Sequence, residues 1–388
     1  MFLCTKTNVC ISFKIVLENI QQIATSMIDA FFTPIPENIY QPFKGKKAFF
    51  GGNIQAHYLT FPKLQKAKIA IIGLGDRSNF VRSELYSLTW RFEKLTIVDL
   101  GNIVKTDDKK QQEFAISEAI AELVALNITV VIIGENQSRL YAHFNSYRNQ
   151  DEAIELVHVS STLNFDKDSD LNRIVSTNQN KHLFNIDFLG TQSYLITQDT
   201  SNTLEKLYFE NYRLGMLRNQ IEESEPVLRS SHIMTFDLNS IRQSDAPGVE
   251  FPNPNGFYAE EACQIARYAG LSNKLTSTQF YGFGSNPCRI TDALTSQMIW
   301  YFIDGFLTRY NDHPDKEDPD YLIYRNKLES TGHEINFYKS RKSNRWWMEI
   351  PHPYDNQTFF IGCSYKDYQL VCDGEMPDRW WRAYQRLI

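Results

Sequence analysis

The sequence predicts an α/β protein: a three-layer, doubly wound, mostly parallel sheet with a C-terminal, aromatic-rich β-hairpin extension. Three observations lead there. Short apolar runs alternate with helix-like stretches from about residue 67 to 310, and such alternation places helices over both faces of a parallel sheet. The runs are apolar throughout, as strands buried on both faces are. After Tyr310 the pattern stops, and a charged, proline-punctuated linker at 311–320 leads into a tail rich in aromatic side chains.

In chain order, Pro34, Pro36 and the lysines at 44–47 make residues 33–52 irregular. Residues 67–73 (A-K-I-A-I-I-G) form the first buried strand, ending on glycine. A helix over 78–90 and a strand over 95–99 follow. Residues 111–126 set Ile116, Ile120, Leu123 and Val124 on one helical face, ahead of a strand at 128–134. Further strands are expected at 154–159 and 193–197, then a long helix over 203–223 and the central strand at 232–238. A helix at 258–269, a strand near 279–282 and a helix at 292–310 complete the alternation. In the tail, residues 335–350 read as a hairpin turning near Lys342-Ser343-Asn344, 359–372 as a second strand pair, and Met376-Pro377-Asp378 as the start of a last helix.

Composition narrows the function classes. A chain of 388 residues with a net charge of −6 buries a substantial core and offers no basic face of the kind nucleic-acid binders show. Six cysteines scattered without a C-x-x-C pattern read as reduced thiols, which places the protein in the cytoplasm and argues against a disulfide frame or zinc site. No run approaches the roughly 20 apolar residues of a membrane span. The apolar run at 9–13 is broken by Lys14, so residues 1–26 read as an extension rather than a secretory leader.

The stretch I-M-T-F-D-L-N-S-I-R-Q-S-D-A-P-G-V-E-F-P at 233–252 brings Asp237 to the carboxyl end of the central strand, where open α/β sheets bind ligands. Thr235-Phe236-Asp237, Ala246-Pro247-Gly248-Val249 and Pro252 keep the spacing of S-F-D-x-D-x-x-D-P followed by A-P-G-x-G-x-P. Pro254-Asn255-Gly256-Phe257 then matches P-G-G-L/F. On these residues the chain resembles the ureohydrolases (arginase, agmatinase, formimidoylglutamase) over about 65–310, and the resemblance implies their fold.

That family attacks an amidine or guanidinium carbon with a hydroxide held between two manganese ions. Two dications about 3.5–4 Å apart repel by on the order of 20 kcal/mol even at an effective dielectric near 20, so the site needs several carboxylates. At the position of the family's G-G-D-H-S the chain has Gly134-Glu135-Asn136-Gln137-Ser138, with Gln137 for the ligand histidine. At D-A-H-x-D it has Ser160, Thr162 and Asn164 for Asp, His and Asp. At S-F-D-x-D it keeps Asp237 and has Asn239 for the second aspartate. Neutral amides and hydroxyls are poor sole ligands for paired Mn(II). The family's guanidinium-binding glutamate, in E-x-N-P, becomes Gly284 ahead of Asn286 and Pro287, and His182 stands where the family has a pocket histidine. Arg242 occupies a family aspartate position and is expected to pair with Asp237.

The expectation is a ureohydrolase-fold protein that has lost its dimetal site, with no cofactor, working as a binding, structural or regulatory component with a remnant pocket of Asp237, Asn239 and His182. Its partners are expected to be a protein or another copy of itself, and a small polar ligand. The alternative is a manganese-dependent hydrolase of linear amidines using Asp237, His143, His158 or His182. The chain divides into an extension (1–26), the α/β body (27–310) and the tail (311–388). The doubled R-W-W triplets offer Trp346, Trp347, Trp380 and Trp381 as a partner patch, against the simpler reading that they pack the tail onto the body.

Overall fold

Ten strands build one sheet whose central members are buried along their whole length. The structure, a computed structural model, describes residues 28–135, 139–177, 182–314, 319–329, 332–354 and 358–388. In chain order the strands are β1 (Phe32–Thr33), β2 (Gln55–Ala56), β3 (Ile69–Gly73), β4 (Ile97–Ile103), β5 (Thr129–Ile133), β6 (Ile154–Val159), β7 (Leu183–Thr191), β8 (Asn211–Arg213), β9 (Ile233–Asp237) and β10 (Ser277–Tyr281). They lie in the order β1-β4-β3-β5-β10-β9-β6-β7-β8, with β2 beside β4, and β1 alone runs antiparallel. The last two strands therefore insert between β5 and β6, and the carboxyl ends of β6, β9 and β10 become neighbours.

The two faces follow from the period of two along a buried strand. Ile69, Ile71, Val131, Ile133, Met234 and Phe236 pack on one side, against the helices Ser78–Ser87, Ala259–Leu271 and Arg289–Leu307. Ala70, Ile72, Val130 and Ile132 face the other side and the helix Lys109–Ala125, while Leu156 and Ile233 meet the short helices Leu140–Asn145 and Asp170–Thr177. Under the first helix the fully buried Arg82 closes on Asp99 at 2.9 Å and on the carbonyl of Gly101 at 2.7 Å. Tyr86 donates to the same carboxylate at 2.8 Å, so the ion pair is fully hydrogen-bonded.

The tail makes a second sheet of four antiparallel strands, β11 (Tyr321–Lys327), β12 (Glu334–Ser340), β13 (Trp346–Pro351) and β14 (Thr358–Cys363), with the helices Tyr365–Cys372 and Asp378–Gln385 on one face. Its other face meets the body. Arg229 lies over the Trp347 ring at 4.2 Å, and Arg345 pairs with Glu225 at 3.1 Å. Arg382 and Arg386 of the last helical segment donate to the carbonyls of Phe209 and Tyr208.

Four elements differ from the sequence expectation. The strand expected at 193–197 is a single 3-10 turn (Ser193–Leu195), because the β7 strand lies earlier, over Leu183–Thr191. The long helix at 203–223 is divided into Gln198–Lys206, β8 and Leu214–Asn219, with Tyr208 in a left-handed conformation at the break. The second strand pair of the tail is one strand followed by a helix, Ser364 and Asp367 forming a capping box at its start. The strand Tyr321–Lys327 was not anticipated. The described cysteines Cys263, Cys288, Cys363 and Cys372 are free thiols.

Candidate functional site

Parallel register lines up the ends of β6, β9 and β10. His158 stands opposite Thr235, which stands opposite Gln279, and two residues further along, on the same face, Tyr281 stands opposite Asp237. Ser160 follows Val159, the partner of Phe236, so Ser160, Asp237 and Tyr281 form one row across three strands. These side chains face the side of the sheet that carries the two short helices, and a cavity of about 510 Å³ opens above them. Ser160, His158, Asp237 and Tyr281 make its floor. Leu140, Leu171, Thr162, Asn164 and Ser169 wall it, and Lys109, Glu113, Arg139 and Asp170 stand at its rim. Such a volume lies within the range of small-molecule pockets.

Asp237 ends its strand as the cap of the following 3-10 turn. Its Oδ1 accepts from the backbone N–H of Asn239 at 3.0 Å and from Asn239 Nδ2 at 2.7 Å, and Oδ2 faces Ser160 Oγ at 3.2 Å. Burial outweighs these donors and pushes its carboxyl up to about 6. The Asn239 amide is itself committed, its Oδ1 accepting from the N–H of Phe251 at 2.7 Å. Gly282 packs so close that a Cβ there would lie 2.5 Å from Asp237 Oδ1. His158 shares a hydrogen bond of 2.7 Å with Thr235 Oγ1 and stacks on Tyr281 at 6.3 Å between ring centres. Burial lowers the His158 imidazole to about 4, so it is neutral. At the rim Arg173 grips Glu113 with both terminal nitrogens, at 2.9 and 2.8 Å, and reaches Asp170 at 3.3 Å. The guanidinium holds the Glu113 carboxyl below its usual range.

Of the candidate residues, the structure brings Ser160, Thr162, Asn164, Asp237 and His158 to one cavity, with Asn239 bonded beneath it. Gln137 lies outside the described residues. The others are elsewhere. His182 stands at the start of β7, its carbonyl accepting from Ile154 N–H, at the amino ends of β6 and β7 and away from the carboxyl ends that form the cavity. His143 is buried in its helix against Ser277 Oγ at 2.6 Å, at the amino end of β10, and burial lowers its pKa to about 3. Gly284 and Asn286 sit in the loop after β10 and do not line the cavity. Arg242 does not pair with Asp237. It pairs with Asp245 at 2.9 Å and stacks over Tyr258, because the turn between them carries its side chain outward. Trp346, Trp347 and Trp380 are buried in the tail and only Trp381 is exposed, at 40%, so the four do not share a surface. Sequence reasoning missed Tyr281. Its signal was available: it is the last residue of a strand beside β9, the same position that singled out Asp237.

A sequence model of the Arginase family matches residues 75–281, more than half of the chain and the span from β4 to β10 that builds the cavity. Among solved structures, the chain is similar to an oxidised formiminoglutamase of Trypanosoma cruzi with manganese, at 16% identity and a TM-score of 0.58, over 64% of this chain and 99% of that one. It is similar to the formimidoylglutamase of Bacillus subtilis at 14% identity and a TM-score of 0.55, over 64% of this chain and 93% of that one. The agmatine ureohydrolase of Thermoplasma volcanium matches at 14% identity and a TM-score of 0.53, over 63% and 91%. At these identities the structural likeness speaks for the fold, and the family match for descent: this chain belongs to the arginase family.

Proposed function

We propose that this arginase-family protein keeps the cavity of its fold without two-metal hydrolysis and works as a non-catalytic binding or regulatory component. One observation carries the reading: both oxygens of Asp237, the single aspartate kept at the family's ligand positions, already face internal donors from Ser160 and Asn239. The donor set around it supports the same view. Ser160, Thr162, Asn164 and Asn239 are neutral, and paired Mn(II) prefers carboxylate and imidazole. One carboxylate, itself pushed toward neutrality by burial, does not offset the repulsion of two dications. Among the described residues no three His, Cys, Asp or Glu side chains converge as a metal site would require. The residues present do not fit a dimanganese centre, and no hydrolytic step is derived through one.

The test is elemental analysis of the full chain after incubation with manganese and desalting, together with assays for urea, formamide or ammonia released from arginine, agmatine and formiminoglutamate. Less than one ion per chain and no product are expected. Two tightly held ions per chain, or product formation lost on Asp237→Ala, overturns the reading.

A further inference from the structure

Two side chains on the cavity floor are more than nine-tenths buried and still present a polar atom without a partner. Tyr281 is 7% exposed and His158 is 5% exposed, both line the cavity, and the two rings stack on each other. Among the described residues the Tyr281 hydroxyl makes no hydrogen bond, and His158 uses its Nδ1 on Thr235 while no group meets its Nε2. A buried tyrosine hydroxyl or imidazole nitrogen ordinarily finds a partner. These two open onto the cavity instead.

The charges around that cavity decide what kind of molecule fits. Lys109 and Arg139 stand against Glu113, Asp170 and Asp237, and Arg173 closes on Glu113 and Asp170 from behind, so the set balances. No excess of anions remains to hold a guanidinium or ammonium group, and no excess of cations to hold a phosphate. The neutral groups are matched to hydroxyls. If Thr235 donates to His158 Nδ1, Nε2 carries the proton and donates, and if Nδ1 donates to Thr235, Nε2 accepts. A hydroxyl satisfies either tautomer because it is both donor and acceptor. The Ser160 oxygen keeps acceptor capacity beside its contact to Asp237, and Asn164 Nδ2 is a donor without a partner among the described residues.

We propose that the cavity binds a neutral polyhydroxylated small molecule, a sugar or polyol, with Tyr281 and His158 at its floor and Ser160 and Asn164 taking further hydroxyls. The inference rests on the reading of the cavity as a metal-free binding site. It reverses the charge logic the family motifs imply, where an acidic site meets a cationic group.

The experiment is isothermal titration of the full chain with glucose, myo-inositol and glycerol, set against agmatine, arginine and inorganic phosphate, each at low and high salt. A neutral polyol is expected to bind with an affinity that salt does not change. Tyr281→Phe, which deletes one hydroxyl and no packing, is expected to weaken it by about five- to tenfold, the loss of one neutral hydrogen bond. Ser160→Ala is a second variant with its own expected weakening. Failure of all three polyols to bind at tens of millimolar overturns the proposal, as does a polyol affinity that Tyr281→Phe and Ser160→Ala leave unchanged, or preferential, salt-dependent binding of agmatine or phosphate. Metal content measured on the same samples keeps the two readings apart: a metal-free chain that binds no polyol ends this proposal alone, while two bound manganese ions end the reading beneath it.

Discussion

Asp237→Asn discriminates between a buried carboxyl held by hydrogen bonds and a carboxylate kept for a metal. In the folded chain the Asp237 carboxyl is pushed from 3.8 to about 6 by burial. That is about two units at 1.36 kcal/mol each, or roughly 3 kcal/mol of difference between its two protonation states. The folded value is raised above the unfolded one. The contribution of the proton is therefore fully present below about pH 4 and lost as the pH rises through about 6. Asparagine stays neutral at every pH and fits the same bonds. Its Oδ1 keeps both Asn239 donors, and its Nδ2 donates to Ser160 Oγ, whose proton turns to the Thr162 carbonyl 2.8 Å away. The variant should match the wild type near pH 4 and exceed it by up to roughly 3 kcal/mol above pH 7. With an unfolding entropy of about 2.1 cal/mol/K per residue, near 0.8 kcal/mol/K for the chain, this is a rise in Tm of about 4 °C. Differential scanning calorimetry from pH 4 to 8 reads it. A variant less stable than the wild type at pH 7.5, or a gap that widens toward acid, refutes the reasoning, because it requires a carboxylate stabilised as an ion.

The remaining predictions concern packing around the site and the tail. Gly282→Ala forces a φ of 95° on alanine and sets a Cβ 2.5 Å from Asp237 Oδ1; a cost of about 1–3 kcal/mol in urea unfolding is expected, and an unchanged midpoint contradicts the close approach. Asp99→Asn leaves the fully buried Arg82 without its counter-charge and should cost about 3–5 kcal/mol. A loss below about 1 kcal/mol shows that the guanidinium is held by its carbonyl and amide contacts instead. Trp380→Ala removes a fully buried ring whose Nε1 donates to the Glu349 carbonyl and should cost about 3–5 kcal/mol. Trp381→Ala, at an exposed position, should stay within about 0.5 kcal/mol. Equal effects in denaturant titrations contradict the burial difference between the two neighbours.

The readable parts of the fold were those with a strong local signal. The strands β3, β5, β6 and β9 are apolar runs bounded by polar or glycine residues, and they were placed to within a residue or two. The segments that went astray, 193–223 and 359–372, are short and mixed in polarity. There tertiary contacts choose between helix and strand: β8 exists because Asn211–Arg213 pairs with Phe188–Thr191, an interaction invisible in a three-residue window. The tail divided the same way. Aromatic content announced it, but which tryptophan faces water depends on helix rotation: Trp380 points into the sheet and Trp381, one residue on, points out.

By itself the sequence determined the α/β layering and the descent from the arginase family, because both are matters of residue identity at fixed spacing. Only the tertiary structure decided which residues meet. The insertion of β9 and β10 between β5 and β6 gathers Ser160, Asp237 and Tyr281 into one row from three distant stretches of chain, and leaves His182 and Gly284 outside it. Strand order and register are long-range properties, set by which buried faces match and not by any local window.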